Sequence, residues 1–266
     1  MSQDNVVVGV DGGAGALRAV RWAARECAAD AETLVLVHAL GYRAGTEPRD
    51  TEEVLSAAVT AARTSAAGVK IRRRPERGNP VAVLAAAGDS ARLIVLGSNG
   101  ATDVAASMLG SVGHRVAAHA RCPVVIVPLS AEPACDRGAV VVGLAPGRAG
   151  RAALRFALAH AARRGDPVEG VWAMQNADGA RSTASRAVLP PELRSILAEQ
   201  PQVPFRLRRI DADPAAALTT TGSDAALLVL GCHHSDEPWS TRLGPVPTAL
   251  LSRAALPVVL VGCAAR

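Results

Sequence analysis

Aromatic residues are nearly absent from this 266-residue chain: two Phe, one Tyr and three Trp. Hydrophobic residues nevertheless make up 49% of it, so the cores must be built from Val, Leu, Ile and Ala. Side chains of that kind suit parallel strands covered by helices on both faces. The same scarcity removes the rings on which single-stranded nucleic acids stack. A net charge of +5 is therefore weak support for a nucleic-acid partner, and the basic residues are scattered. The one tight basic run, KIRRRPER from Lys70 to Arg77, is expected to be a solvated edge strand. Cysteine is sparse and unpatterned. Cys27, Cys122, Cys135, Cys232 and Cys263 are odd in number, with no C-x-x-C pair, which argues against both a disulfide framework and a zinc site. No apolar run approaches the roughly 20 residues that cross a bilayer. The opening MSQDNVVVGVDGG lacks the basic and long apolar regions of a secretory signal. The expectation is a soluble, cytoplasmic protein. No G-x-x-x-x-G-K-[ST] loop is present, so P-loop hydrolysis is not expected.

What the chain does have is itself, twice. VVVGVDGGAGALRAVRWAA from Val6 returns as VVVGLAPGRAGRAALRFAL from Val140. GNPVAVLAAAGDSARLIVLG from Gly78 returns as ADPAAALTTTGSDAALLVLG from Ala212, and CPVVIV from Cys122 as LPVVLV from Leu256. The offset is 134 residues throughout, as from Gly97 to Gly231 and from Gly110 to Gly244. A constant shift of this kind marks an internal repeat. It predicts two copies of one domain, residues 1–130 and 138–266, joined by the polar LSAEPACDRG.

Within the first copy, short apolar runs alternate with longer amphipathic ones. NVVVGV, TLVLVHA, VKIRRRP, RLIVLG and PVVIVP read as strands. ALRAVRWAAREC is a helix with Leu17, Val20, Ala24 and Cys27 on one face. TEEVLSAAVTAARTSA is a second, opened by Asp50 or Thr51 and first-turn acids. In NPVAVLAAAGD, Asn79 is placed to cap and Pro80 to start a third. SVGHRVAAHA is a fourth, capped by Ser111. Strand–helix alternation implies a parallel sheet with right-handed crossovers.

The stretch GSNGATDVAASMLGS, residues 97–111, leaves the carboxyl end of the fourth strand and enters a helix. Its glycines admit two readings. The loop has only to turn, with Gly97 ending the strand; or a ligand approaches the backbone at Gly100, where no Cβ stands in the way. In the second reading the N–H groups of Gly110, Ser111 and Val112 lie at a helix N-terminus, which favours phosphate. Asp11 ends the first strand. It either caps the DGGAGA turn or accepts from an adenine amine or ribose hydroxyl in the crevice where strand order reverses, if that order is 3-2-1-4-5.

Gly97, Gly100, Gly110 and Ser111 form G-x2-G-x9-G-[ST]. With VVVGVDGGAGALRAVRWA before it and GSVGHRVAAHARCPVVIVP around its end, this first half resembles the universal stress protein family, and the repeat resembles its tandem bacterial members. The resemblance implies two Rossmann-like α/β domains of universal stress protein type, each a five-stranded parallel sheet of order 3-2-1-4-5 with helices on both faces. It implies an ATP site in the first copy, with or without Mg²⁺. Val10 and Asp11 would hold the adenine or ribose side, and Val37, His38 and Ala39 would wall the adenine. Gly97, Gly100, Gly110, Ser111 and Val112 would cradle ribose and phosphates. His38 is expected as a hydrogen-bonded strand-end histidine rather than a catalytic one, and His114 and His119 on a solvated helix face. The two copies would pack as a pseudo-dimer through PVVIVP and LPVVLVG, which would otherwise be exposed edges, and two chains would form a dimer of tandems.

The second copy departs from the pattern. Ala145 replaces Asp11, His234 replaces Gly100 and Pro245 replaces Ser111, while Gly231 and Gly244 remain. Cys232, His233 and His234 are consecutive, and no second cluster completes a tetrahedral metal site. The expected function is that of an ATP-binding stress-response sensor or regulator, the nucleotide held by the first copy and no catalytic residue assigned. The alternatives are a slow ATPase or nucleotidyl-transfer enzyme, and an interaction scaffold that binds no nucleotide.

Overall fold

The structure, a computed structural model, describes residues 5–41, 51–98, 111–131, 138–174, 189–232 and 243–262. The chain divides into two compact units, Met1–Leu129 and Ser130–Arg266.

Unit 1 runs β1 (Asn5–Gly9), α1 (Ala14–Asp30), β2 (Thr33–Leu40), α2 (Thr51–Ser65), β3 (Lys70–Arg77), α3 (Pro80–Gly88), β4 (Leu93–Ser98), α4 (Ser111–His119) and β5 (Val124–Pro128). Its strands lie side by side as β3-β2-β1-β4-β5, and all four pairings are parallel. The central strands are buried on both faces, with Val6, Val8, Leu34, Leu36, Ile94 and Val95 inaccessible to solvent. That is why they read as continuous apolar runs rather than as alternations. Edge strand β3 is charged and largely exposed. Pro75 fits there because a sheet edge does not need every N–H.

The helices begin and end for local reasons. Asn79 Oδ1 accepts from Val81 N–H at 2.9 Å, and Pro80 opens α3. α1 buries Ala16, Ala19, Val20, Ala23, Ala24 and Cys27. Leu17, expected on that face, is half-buried. Burial pushes the thiols of Cys27 and Cys122 up to about 12, so both stay protonated and inert. Cys232 is also buried; Cys135 and Cys263 lie outside the described residues.

α1 ends on Ala31, whose φ of 55° is left-handed, and Glu32 N–H reaches back to Cys27 O at 2.9 Å. This is the geometry that glycine favours at a helix end. The second unit has Gly165 at the equivalent place, with φ 71°. Ala31→Gly is therefore expected to stabilise unit 1 by about 0.5–1 kcal/mol, by relieving the Cβ contact that left-handed backbone imposes. The check is the urea midpoint. A lower midpoint would show that Ala31 is not strained.

Unit 2 repeats the plan: β6 (Val140–Gly143), α5 (Gly147–Arg164), β7 (Val168–Ala173), α6 (Pro191–Ala198), β8 (Phe205–Ile210), α7 (Pro214–Thr221), β9 (Leu227–Cys232), α8 (Pro245–Leu251) and β10 (Val258–Gly262). The order is β8-β7-β6-β9-β10, again parallel throughout. Asp213 caps α7 through Ala216 N–H at 3.0 Å, as Asn79 caps α3. Among the described residues no helix is long and apolar enough to cross a membrane.

Beneath unit 1, at the amino ends of its strands, Arg92 grips Glu32 with two hydrogen bonds of 2.5 and 2.6 Å. Asp30 lies 3.9 Å from the same guanidinium. Glu26 and Glu32 are both buried. Burial opposes the charge on Arg92, but the adjoining Glu32 carboxylate outweighs it and holds the guanidinium above its ordinary range. In unit 2, Ala226 stands in Arg92's place. There Asp166 is paired instead with Arg164, at 3.4 Å.

Candidate functional site

In unit 1, β1 has β2 on one side and β4 on the other. The chain winds outward to β3 one way and to β5 the other. Strand order thus reverses between the carboxyl ends of β1 and β4, which is where open parallel sheets form a ligand crevice.

The wall on the β1–β2 side is fixed by hydrogen bonds. Val10 N–H donates to Val37 O at 2.9 Å. His38 Nδ1 lies 2.7 Å from Val10 O. A carbonyl can only accept, so Nδ1 carries the hydrogen and donates. His38 is half-buried and its ring straps the tip of β2 to the tip of β1. Val10 and Val37 are buried, and Ala39 is half-buried beside them.

Asp11 follows at the surface. Its Oδ1 accepts from Gly13 N–H at 2.8 Å, which closes a small turn. Gly12 takes φ 77°, a left-handed conformation that suits glycine. Asp11 therefore does shape the DGG turn. A carboxylate has about four lone-pair positions, so this cap uses only part of the accepting capacity of Asp11.

Gly97 lies at the carboxyl end of β4, one residue before its last. It is still within β4, opposite Val127 of β5. A Cβ on Gly97 would stand 2.1 Å from Gly15 O, 2.2 Å from Gly15 C and 2.6 Å from Ala16 N. The N-terminal turn of α1 rests directly on the end of β4. The glycine is required by a helix backbone rather than by a turn. Unit 2 shows the same contact: a Cβ on Gly231 would meet Ala149 O at 2.4 Å and Ala149 C at 2.5 Å.

Gly100 and Gly110 lie outside the described residues. Ser111 and Val112 lie within α4 as described, so Ser111 is helical rather than the cap. A Cβ on Gly113 would lie 3.4 Å from Ile126 of β5, which seats this part of the helix against the sheet. His119 Nδ1–H donates to Arg115 O at 2.6 Å on the exposed side of the helix. His114 is half-buried.

The corresponding place in unit 2 keeps the frame and loses the polar groups. Leu144 N–H donates to Val171 O at 2.9 Å, matching Val10 and Val37. Ala145 offers no side-chain acceptor, and its carbonyl instead packs on Gly150, 1.8 Å from where a Cβ would stand. Buried Trp172 takes the position of His38. Pro245 opens α8 and has no N–H to give. His233 and His234 lie outside the described residues.

Two contacts had no signal in the sequence, that of Gly97 with Gly15 and that of Arg92 with Glu32; for His38 a hydrogen bond at the strand end was expected, but not its partner, Val10 O. The nearest hint was the small-residue run GGAGA at the start of α1, which permits a close backbone approach without naming its partner.

Comparison with known proteins places these features in context. The model of the universal stress protein family matches residues 3–128 and, separately, residues 137–262. A universal stress protein of Mycobacterium tuberculosis is 25% identical over 285 residues, covering 97% of each chain. One of Mycolicibacterium smegmatis is 27% identical over 288 residues, covering 96% of each. The crystal structure of a universal stress protein from Archaeoglobus fulgidus superposes with a TM-score of 0.75, over 98% of this chain and 99% of that one. Its sequence identity is 17%, so it speaks to the fold alone.

Proposed function

Since this chain belongs to the universal stress protein family in both of its halves, we propose that it is a cytoplasmic sensor or regulator that binds one ATP, in unit 1. The observation that carries this reading is the contrast between equivalent crevices in one chain. Unit 1 has a carboxylate at Asp11, held by the Gly13 N–H, beside a rim strapped by His38. It also has a helix, α4, that contains Ser111, a residue with an N–H. Unit 2 has Ala145, Trp172 and Pro245 at those places. The fold is common to both, so the difference falls on the residues that would meet a ligand.

In this reading Asp11 accepts from the adenine or ribose, and the edges of Val37 to Ala39 face the base. Ser111 and Val112 present N–H donors to phosphate at the positive end of α4. Gly100 and Gly110 complete the loop, and Gly97 holds α1 in place beneath it. No nucleophile–base pair is assigned, so the bound nucleotide is retained rather than turned over.

Each charge-assisted hydrogen bond contributes about 1.5–3 kcal/mol, and tenfold in affinity corresponds to about 1.4 kcal/mol. Unit 2, lacking two or more such bonds, should bind at least about a hundredfold more weakly. Calorimetry near neutral pH should give one ATP per chain, and Asp11→Ala should weaken that event about tenfold or more. Two equal sites, or an Asp11→Ala variant that binds as tightly as the parent, would refute the assignment. Phosphate release followed over hours would reveal a slow ATPase, should the nucleotide be consumed.

A further inference from the structure

β8 is the outermost strand of unit 2, pairing with β7 on one side. Val168 N–H donates to Pro204 O at 2.8 Å and Met174 N–H to Ile210 O at 2.9 Å. In an extended strand a residue's N–H and C=O point the same way, and the direction alternates along the chain. The main chains of Pro204, Arg206, Arg208 and Ile210 therefore face β7. Those of Phe205, Leu207 and Arg209 face outward, a row of three N–H and three C=O groups with no ladder partner among the described residues.

The matching edge of unit 1 has the same phase, because Gly78 N–H donates inward to Leu40 O. There Ile71, Arg73, Pro75 and Arg77 face outward. Pro75 removes the N–H in the middle of that row and obstructs the approach of another strand. Its counterpart in β8 is Arg209, at the 134-residue offset. One edge is thus closed by its sequence, and the other has no strand partner among the described residues.

That edge is cationic. FRLRRI carries three arginines and no acid. Arg206, Arg208 and Arg209 are all exposed, and Arg208 is ion-paired with Glu169 of β7. A second β8 laid against the first would bring six guanidinium groups together, so self-pairing is opposed by charge. Nucleic acid has no backbone N–H and C=O to match the row. We propose that β8 is a docking edge for an extended acidic segment of another protein, added to the sheet of unit 2 as one further strand. Acids at every second position of such a segment repeat about every 6.6–6.8 Å, the spacing of Arg206 and Arg208 on their shared face. The residues between them would meet the half-buried Phe205 and Leu207.

The test uses the full chain and a blocked hexapeptide alternating glutamate and valine. Saturable binding, weakened about tenfold or more by 0.5 M NaCl, should slow amide exchange at Phe205, Leu207 and Arg209. Arg209→Pro copies what β3 already contains and removes an N–H that the β7 ladder does not use. It should abolish binding and leave the melting temperature within about 2 °C. The converse variant, Pro75→Arg, should raise the stoichiometry from one peptide to two, which keeps the idea testable if Arg209→Pro folds poorly. Undiminished binding by Arg209→Pro would overturn the proposal. So would protection elsewhere, equal binding of the lysine–valine hexapeptide, or displacement of the peptide by a single-stranded oligonucleotide of the same charge.

Discussion

Gly97→Ala is expected to destabilise unit 1 by about 3 kcal/mol or more, whether or not nucleotide is present. The added methyl would stand 2.1 Å from the carbonyl oxygen of Gly15, and the next two contacts are also main-chain atoms of α1. Ordinary overpacking costs about 1–3 kcal/mol because side chains can shift. Here a helix must lift from the sheet, so the cost lies at or beyond the upper end. Gly231→Ala should do the same to unit 2, where Ala149 O would be 2.4 Å away. The paired measurement is thermal melting together with ATP titration of the folded protein. Gly231→Ala should melt early and still bind ATP with the parent affinity. A Gly97→Ala variant that melts like the parent but no longer binds would show that this glycine serves the ligand rather than the helix.

That result bears on what the sequence could reveal. Features determined by neighbours in the chain were legible. Asn79 and Pro80 announce the start of α3, and the cap is found at 2.9 Å. The charged run through Pro75 announces an edge strand, and β3 is one. The 134-residue offset announces two like domains of parallel α/β type. Features determined by approach through space were not. Gly97 beside an apolar strand looks like a strand end about to turn, because nothing local tells that α1 will lie across it. Asp11 and His38 lie between these cases: the cap of Asp11 to Gly13, two residues on, was one of its two readings, and His38 was expected to be hydrogen-bonded at its strand end, while its partner, the carbonyl of Val10 28 residues away, was not legible.

The second large effect should come from Arg92. Truncation to alanine leaves Glu32 buried without the cation that binds both its oxygens, close to buried Glu26. Breaking a buried pair from one side costs about 3–5 kcal/mol, because the remaining charge is stranded in a poor solvent. The urea transition of unit 1 should shift accordingly while that of unit 2, which has Ala226 at this position, stays put. Arg92→Ala combined with Glu32→Ala should recover part of the loss. If the double variant is no more stable than the single one, the guanidinium supports the fold through its packed stem instead.

Val10 is tied on both sides of its Cα: its N–H is held by Val37 and its carbonyl by the ring of His38. The backbone that delivers Asp11 to the surface consequently has little conformational freedom left before any ligand arrives. Ordering that side of the cleft is an entropic cost met during folding, not during association. A compound that meets Asp11 meets a preset carboxylate, so what it gains there depends on its own rigidity and on how well its donors match a direction already chosen. Cutting the strap with His38→Ala would leave every group that touches the ligand chemically unchanged except the ring itself, yet return that freedom to the free state. Its signature would be a less favourable binding entropy with the enthalpy largely preserved.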